Sequence, residues 1–160
     1  MKTLYINYFQ ASKISKLVYI IKNTSNLVHE TQIERGMSSG FLGSNGTLYR
    51  DELKSQRKKS DEAFLIFKSS LDSLVLENYS ADLKASSEKV INIFNNLSSV
   101  RSMVDSFALT APETVGFYDK MNDETLKLIE PISFLAPNNE IFNSIKAYLL
   151  FLFSKERTGI

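Results

Sequence analysis

Residues 14–42 read ISKLVYIIKNTSNLVHETQIERGMSSGFL, and this stretch decides the fold. Ile14, Leu17, Ile21, Thr24, Val28, Thr31, Arg35, Ser38 and Leu42 recur at alternating steps of three and four, with no proline among them. That is the period of an α-helix turning one stripe inward. The same steps run through Tyr49, Leu53, Gln56, Ser60, Ala63, Phe67, Leu71 and Leu74, and through Leu83, Ser87, Val90, Phe94, Leu97, Arg101, Val104 and Ala108. A fourth, shorter segment opens on the capping box Thr110-Ala111-Pro112-Glu113, with proline in the first turn, and is expected to stop at Pro131. A fifth follows Pro137-Asn138-Asn139 and carries Ile141, Ile145, Tyr148, Leu149, Leu152 and Glu156. Helices are therefore predicted at about 12–42, 47–76, 80–108, 111–130 and 139–158.

The breaks are short: Gly43-Ser44-Asn45-Gly46 between the first two segments and Glu77-Asn78-Tyr79-Ser80 between the next two. Helices of roughly 28 residues, about 42 Å long, joined so tightly must run antiparallel to their neighbours. The expected architecture is a single all-α domain over 1–160, an antiparallel up-down bundle of four to five helices. The run Leu149 to Phe153 is apolar all round its helix and is expected to be buried against something.

Composition narrows the chemistry. The chain has 160 residues, 43% of them apolar and 23% charged, which is ordinary for one globular domain. Lys and Arg number 19 against 18 Asp and Glu, so no charge imbalance points to nucleic acid, and no nucleic-acid partner is expected. With no Cys and a single His, His29, there are no disulfides, thiol nucleophiles or thiolate metal sites, and almost every His-based metal site or triad is removed too. No metal and no cofactor is expected. The longest apolar run, Ala147 to Phe153, is about a third of the ~20 residues that a membrane span requires, and the first ten residues do not read as a secretion signal. The chain is expected to be a soluble, excised portion of a longer protein.

Catalysis finds little support. Gly36-Met37-Ser38-Ser39-Gly40-Phe41-Leu42-Gly43 is glycine-rich but ends a helix and lacks a following Lys-Ser/Thr, so it does not read as a phosphate loop. Glu34, Glu52 and Asp61 are scattered at helix-surface spacings and pair with nothing obvious, and His29 reads as a solvated or packed side chain. No enzyme is expected. The informative residues are two arginines on apolar stripes, Arg35 and Arg101. A guanidinium stays charged at any accessible pH, so burying it without a partner is costly. The bland alternative pairs Arg35 with a carboxylate on a neighbouring helix and Arg101 with Asp105 one turn on, while Arg57 takes Asp61. The functional alternative is an anion site, in which the planar fork of Arg35 receives an oxyanion with help from Gln32, Gly36, Ser38, Ser39 and Gly40. The candidate ligand-binding residues are Arg35, Gln32, Gly36, Ser39 and Arg101.

Four ordered segments bear a family resemblance. Leu27-Val28-His29-Glu30-Thr31-Gln32-Ile33-Glu34-Arg35-Gly36-Met37-Ser38-Ser39-Gly40 resembles the first signature of the nitrate- and nitrite-sensing (NIT) domain. Leu48, Glu52-Leu53, Gln56-Arg57 and Asp61 follow at that family's spacing; Arg101-Ser102-Met103-Val104-Asp105 resembles its third-helix signature, and Lys155-Glu156-Arg157-Thr158-Gly159-Ile160 the start of its K-E-x-x-G-x-E-R motif. The resemblance implies an all-helical sensor module of bacterial methyl-accepting chemoreceptors, receptor kinases, cyclases or antiterminators, with Arg35, the arginine of E-R-G, lining a nitrate site. The arginine that ends the last motif falls beyond Ile160, and Arg157 stands at one of the motif's variable positions. The resulting expectation is the periplasmic ligand-sensing domain of an inner-membrane, chemoreceptor-like receptor. It would bind nitrate or nitrite, act as a homodimer and pass a helix displacement to an output domain. The alternative is a helical dimerisation or signal-relay module that binds no ligand.

Overall fold

The computed structural model describes the backbone of residues 2–75 and 81–158 and the side chains of 11–72 and 81–158. Among these, every regular element is a helix: α1 Lys2–Gly43, α2 Arg50–Val75, α3 Ala81–Asn95, α4 Leu97–Asp105, α5 Ala111–Lys127, α6 Ile129–Ser133 and α7 Asn139–Thr158. The all-α bundle expected from the stripes is what forms. The predicted connection Glu77–Ser80, the ends of the second and third helices that flank it, the Leu74 side chain and the final Gly159-Ile160 lie outside the described residues.

Helix α1 starts near the beginning of the chain rather than at residue 12 and runs unbroken for 42 residues, about 63 Å at 1.5 Å per residue. It ends in a Schellman motif: the Gly46 amide donates to the Phe41 carbonyl at 2.8 Å and the Asn45 amide to Leu42 at 3.1 Å. Asn45 (φ 52°) and Gly46 (φ 79°) take the left-handed conformation that this stop requires. Residues 47–49 belong to the turn, so α2 begins at Arg50.

Two predicted helices are each divided in two. The third breaks at Asn96, where its side chain donates to the Asn92 carbonyl at 3.1 Å and its backbone amide turns instead to Ile93, also at 3.1 Å. Asparagine competes with the helical ladder in this way. The fourth breaks at Leu128, three residues ahead of Pro131. Proline cannot donate to the carbonyl four residues back, and its ring crowds that carbonyl, so the chain restarts as α6 with Pro131 inside the first turn. Pro131 thus divides the segment instead of ending it. The capping box at Thr110 forms as expected: the Thr110 amide donates to Glu113 at 2.8 Å and the Thr110 hydroxyl accepts from the Glu113 amide at 3.4 Å.

Polar pairs between helices give the register. Arg57 meets Asp105 and Asp61 meets Arg101, so α2 and α4 run antiparallel. Thr31 meets Asn122 and Arg35 meets Asp119, so α1 and α5 do too. Ser25 meets Tyr148 and Gln32 meets Glu156, so α7 lies parallel to α1. Helix α1 is the central element, packed chiefly on α2 and α5.

The core is divided. A large apolar cluster includes Leu17, Ile20 and Leu27 of α1, Phe67 and Leu71 of α2, Val90 and Phe94 of α3, Tyr118 and Met121 of α5, and Leu149 and Leu152 of α7. A small one holds Phe41, Leu42, Leu53 and Val104. Each fully buried Leu or Phe contributes about 1.5–3 kcal/mol. Between the clusters lies a polar layer of buried Thr31, Gln32, Glu34, Ser38, Gln56, Ser60 and Thr114. The Leu149–Phe153 run is only partly covered: Leu149 and Leu152 are buried, whereas Leu150 and Phe151 are 70% and 61% exposed.

Candidate functional site

The α1 part of the polar layer comes from consecutive turns, and two neighbouring residues send it in different directions. Glu34 is 0% exposed. Arg101 Nε and Nη2 donate to its two carboxylate oxygens at 2.7 and 2.8 Å, and the Tyr118 hydroxyl donates at 2.7 Å. The third nitrogen of Arg101, Nη1, donates to Asp61 at 2.7 Å, and Nη2 also reaches the Arg57 carbonyl at 3.2 Å. Burial pushes the Glu34 carboxyl up, but Arg101, Tyr118 and the Ser60 hydroxyl outweigh it and hold Glu34 below the ordinary carboxylate value. Burial likewise pulls the Arg101 guanidinium down, and Glu34 and Asp61 reverse that, so its value is raised. Burial, then the Glu34 carboxylate, push the Tyr118 phenol above its ordinary value and keep it a donor.

Arg35 leaves α1 on another side and meets Glu156 of α7 at 2.7 Å and Asp119 of α5. Glu156 is the hub of this second cluster. Its carboxylate accepts from Arg35 Nη1, from Gln32 Nε2 and, at 3.1 Å, from Asn122 Nδ2. Asn122 is buried, and its amide oxygen accepts from the Thr31 hydroxyl at 2.6 Å, which turns the amide nitrogen toward Glu156. Beside the cluster is a cleft of about 790 Å³ lined by Arg35, Val115, Asp119, Lys120, Asp123, Glu156, Arg157 and Thr158.

The expected site residues are distributed as follows. Arg35 and Gln32 come together on Glu156. Arg101 belongs to the Glu34 cluster, and Ser39 is half-buried and bonds neither guanidinium. Gly36 is exposed, and a Cβ built on it meets nothing within 4 Å, so it marks no close helix approach. The close approach is at Gly40, where a Cβ would lie 2.7 Å from the Tyr49 ring.

The local ion pairs expected from the sequence are exchanged. Arg57 binds Asp105 through two hydrogen bonds of 2.8 Å, and Arg101 takes Asp61 and Glu34. The crossed pairing ties α2 to α4, with both Arg57 Nη nitrogens on the two oxygens of Asp105. Arg35 carries two carboxylate partners, so it is not an under-paired arginine. Glu34 is the residue that sequence reasoning missed. It stands in a row with Ile20, Leu27 and Phe41 at steps of seven, all buried, parallel to the row that contains Arg35. Asn122 and Thr31, polar residues on buried faces, carried no sign that they meet.

Comparison with known proteins agrees with this architecture. The solved structure of the NasR transcription antiterminator superposes with a TM-score of 0.88 at 22% sequence identity, over 98% of this chain and 43% of that one. The chain thus spans less than half of that protein's length, and the likeness concerns the fold. No curated protein matches the chain. The sequence pattern of the nitrate and nitrite sensing family matches residues 26–160, which include the whole polar layer. The chain belongs to the nitrate- and nitrite-sensing (NIT) family.

Proposed function

We propose that this chain is a ligand-sensing signalling module, not a catalyst, that binds nitrate or nitrite at Arg35 and passes a helix displacement to an output module. The observation that supports it most is the convergence on one trigonal carboxylate of donors from α1 and α5, Gln32, Arg35 and Asn122, beside an open cleft. A planar guanidinium with two amides suits a planar oxyanion, and Arg35 is the arginine of the E-R-G motif. Arg101, tied to Glu34 and Asp61, is read as a support of the site's frame rather than as a ligand contact, and Ser39 and Gly36 are assigned no contact in it. A ligand biases the bundle only by binding one packing more tightly than another. Calorimetric titration of the purified protein with nitrate tests the reading: saturable heat absent with chloride at equal ionic strength supports it, and its absence overturns it.

The output and the compartment are read more broadly than as a periplasmic chemoreceptor. Among the described residues no helix is long and apolar enough to cross a membrane. The same fold occurs in a transcription antiterminator. A membrane receptor and a transcription regulator are both suitable hosts, so the even charge balance of this chain is no argument against a nucleic-acid target for the whole protein. Exposed Val18, Tyr19, Leu150 and Phe151 favour a covering protein surface, consistent with a homodimer. Sedimentation equilibrium of the purified protein measures that directly.

A further inference from the structure

We infer that the Glu156 carboxylate occupies the anion's own place, as a tethered plug in the Gln32–Arg35–Asn122 cradle, and that the ligand acts by displacing it and shifting α7 against α1 and α5. The inference rests on the reading of Arg35 as the anion-binding residue. Three observations lead to it.

Three donors converge on Glu156, and the Asp119 carboxylate stands beside them on the same Arg35 nitrogen. Arg35 Nη1, Gln32 Nε2 and Asn122 Nδ2 all point at Glu156, whose side chain is 9% exposed. A carboxylate and a nitrate or nitrite ion present the same planar pair of oxygens to such donors, so one site accepts either. The cradle is also positioned without Glu156. Asn122 is held by Thr31, and Arg35 keeps Asp119 as a second partner, so the guanidinium stays in place when Glu156 departs.

The plug comes from a different helix from its cradle. Gln32 and Arg35 are in α1 and Asn122 is in α5, whereas Glu156 is in α7. The cleft beside it gives an anion a way in. With Glu156 in place the lining has three basic side chains, Arg35, Lys120 and Arg157, against three acidic ones, Asp119, Asp123 and Glu156. Loss of the Glu156 charge with Arg157 still in place, as in Glu156→Ala, leaves a net positive lining that receives an anion. Binding therefore exchanges one oxyanion for another at the same donors and releases α7 from α1 and α5 at Glu156, which is the displacement a sensor requires.

A tethered competitor weakens the apparent affinity by the fraction of time it holds the site. The test is a thermal-melt and calorimetric comparison of the wild type with Glu156→Ala at constant ionic strength, using nitrate, sodium formate and sodium chloride. Circular dichroism verifies the fold. Glu156→Gln, which keeps an acceptor and loses the charge, stands in if the alanine variant does not fold. The expected result is that formate, inert on the wild type, stabilises the variant, and that nitrate binds the variant at least tenfold more tightly. If formate stabilises the variant and nitrate does not, the plugged cradle stands and the nitrate reading falls. If nitrate binds wild type and variant equally and formate binds neither, the nitrate reading stands and the plug is overturned. If chloride acts as formate does, the cradle has no selectivity for trigonal oxyanions and the inference is overturned.

Discussion

Glu34 and Arg101 share two hydrogen bonds of 2.7 and 2.8 Å, joining both carboxylate oxygens to Nε and Nη2 of one guanidinium. The pair sits in the layer that separates the two apolar clusters, and it joins α1 to α4. Among the described residues Glu34 has no other cation there, whereas Arg101 also holds Asp61. Arg101→Leu leaves the Glu34 carboxylate buried with only hydroxyl partners, and is expected to lower stability by about 3–5 kcal/mol. Glu34→Leu combined with Arg101→Leu is expected to recover most of that loss. Urea midpoints of the wild type, the two single variants and the double variant check this. Additive losses would mean that the pair does not act as a unit.

The same carboxylate gives the fold an acid sensitivity. Glu34 is held below its ordinary value of 4.5 in the folded state, so it binds a proton more readily when unfolded. Its stabilisation is full above that ordinary value and is lost as the pH falls through the lower folded value. Urea midpoints from pH 7 to pH 3 are expected to fall for the wild type and to fall less steeply for Glu34→Gln. Parallel curves for the two proteins would remove Glu34 as the source.

Two glycines separate conformational need from family pattern. Gly46 has φ of 79°, and a Cβ there would lie 2.9 Å from Phe107 and from Arg50. Gly46→Ala is expected to cost about 1 kcal/mol or more. Gly36 is exposed inside α1 with open space around it. Gly36→Ala is expected to add about 0.5–1 kcal/mol through helix propensity and to leave the anion response intact. A lost anion response in a stable Gly36→Ala protein would place that glycine against the ligand.

Asn122 and Thr31 are expected to set the cradle's geometry. Thr31→Val removes the hydroxyl that orients the Asn122 amide, which frees that amide to rotate away from the anion. Nitrate affinity is expected to fall about tenfold, equivalent to ~1.4 kcal/mol. Calorimetric titration measures it, and unchanged affinity in the folded variant removes Thr31 from the site's support.

The stripes made the fold legible because each helix has a single inward face and almost no proline. The two extra breaks were hidden for different reasons. At Asn96 the break depends on which carbonyl an asparagine side chain takes, and at Leu128 on the reach of Pro131 back along the chain. Arg35 and Gln32 were legible as site candidates because they stand on one turn of a signature helix. Glu156 and Asn122 were not, since their convergence on α1 depends on how α7 and α5 dock. Local spacing also misassigned the arginine pairs. Asp61 is four residues from Arg57, yet the α2–α4 seam offers each guanidinium a partner across it.

The most direct measurement is a thermal melt with nitrate, nitrite, chloride and sulfate at one ionic strength, on the wild type, Arg35→Ala and Arg35→Lys. A ligand that binds only the folded state adds about 2.7 kcal/mol at a hundredfold excess over its Kd, which shifts the midpoint by ~5–10 °C for a domain of this size. Nitrate and nitrite are expected to raise the wild-type midpoint above the chloride control. The rise should vanish in both variants, since alanine removes the charge and lysine removes the planar fork. A nitrate-specific rise that survives in a folded Arg35→Ala protein would contradict an anion site at Arg35, as would a wild-type response no larger with nitrate than with chloride.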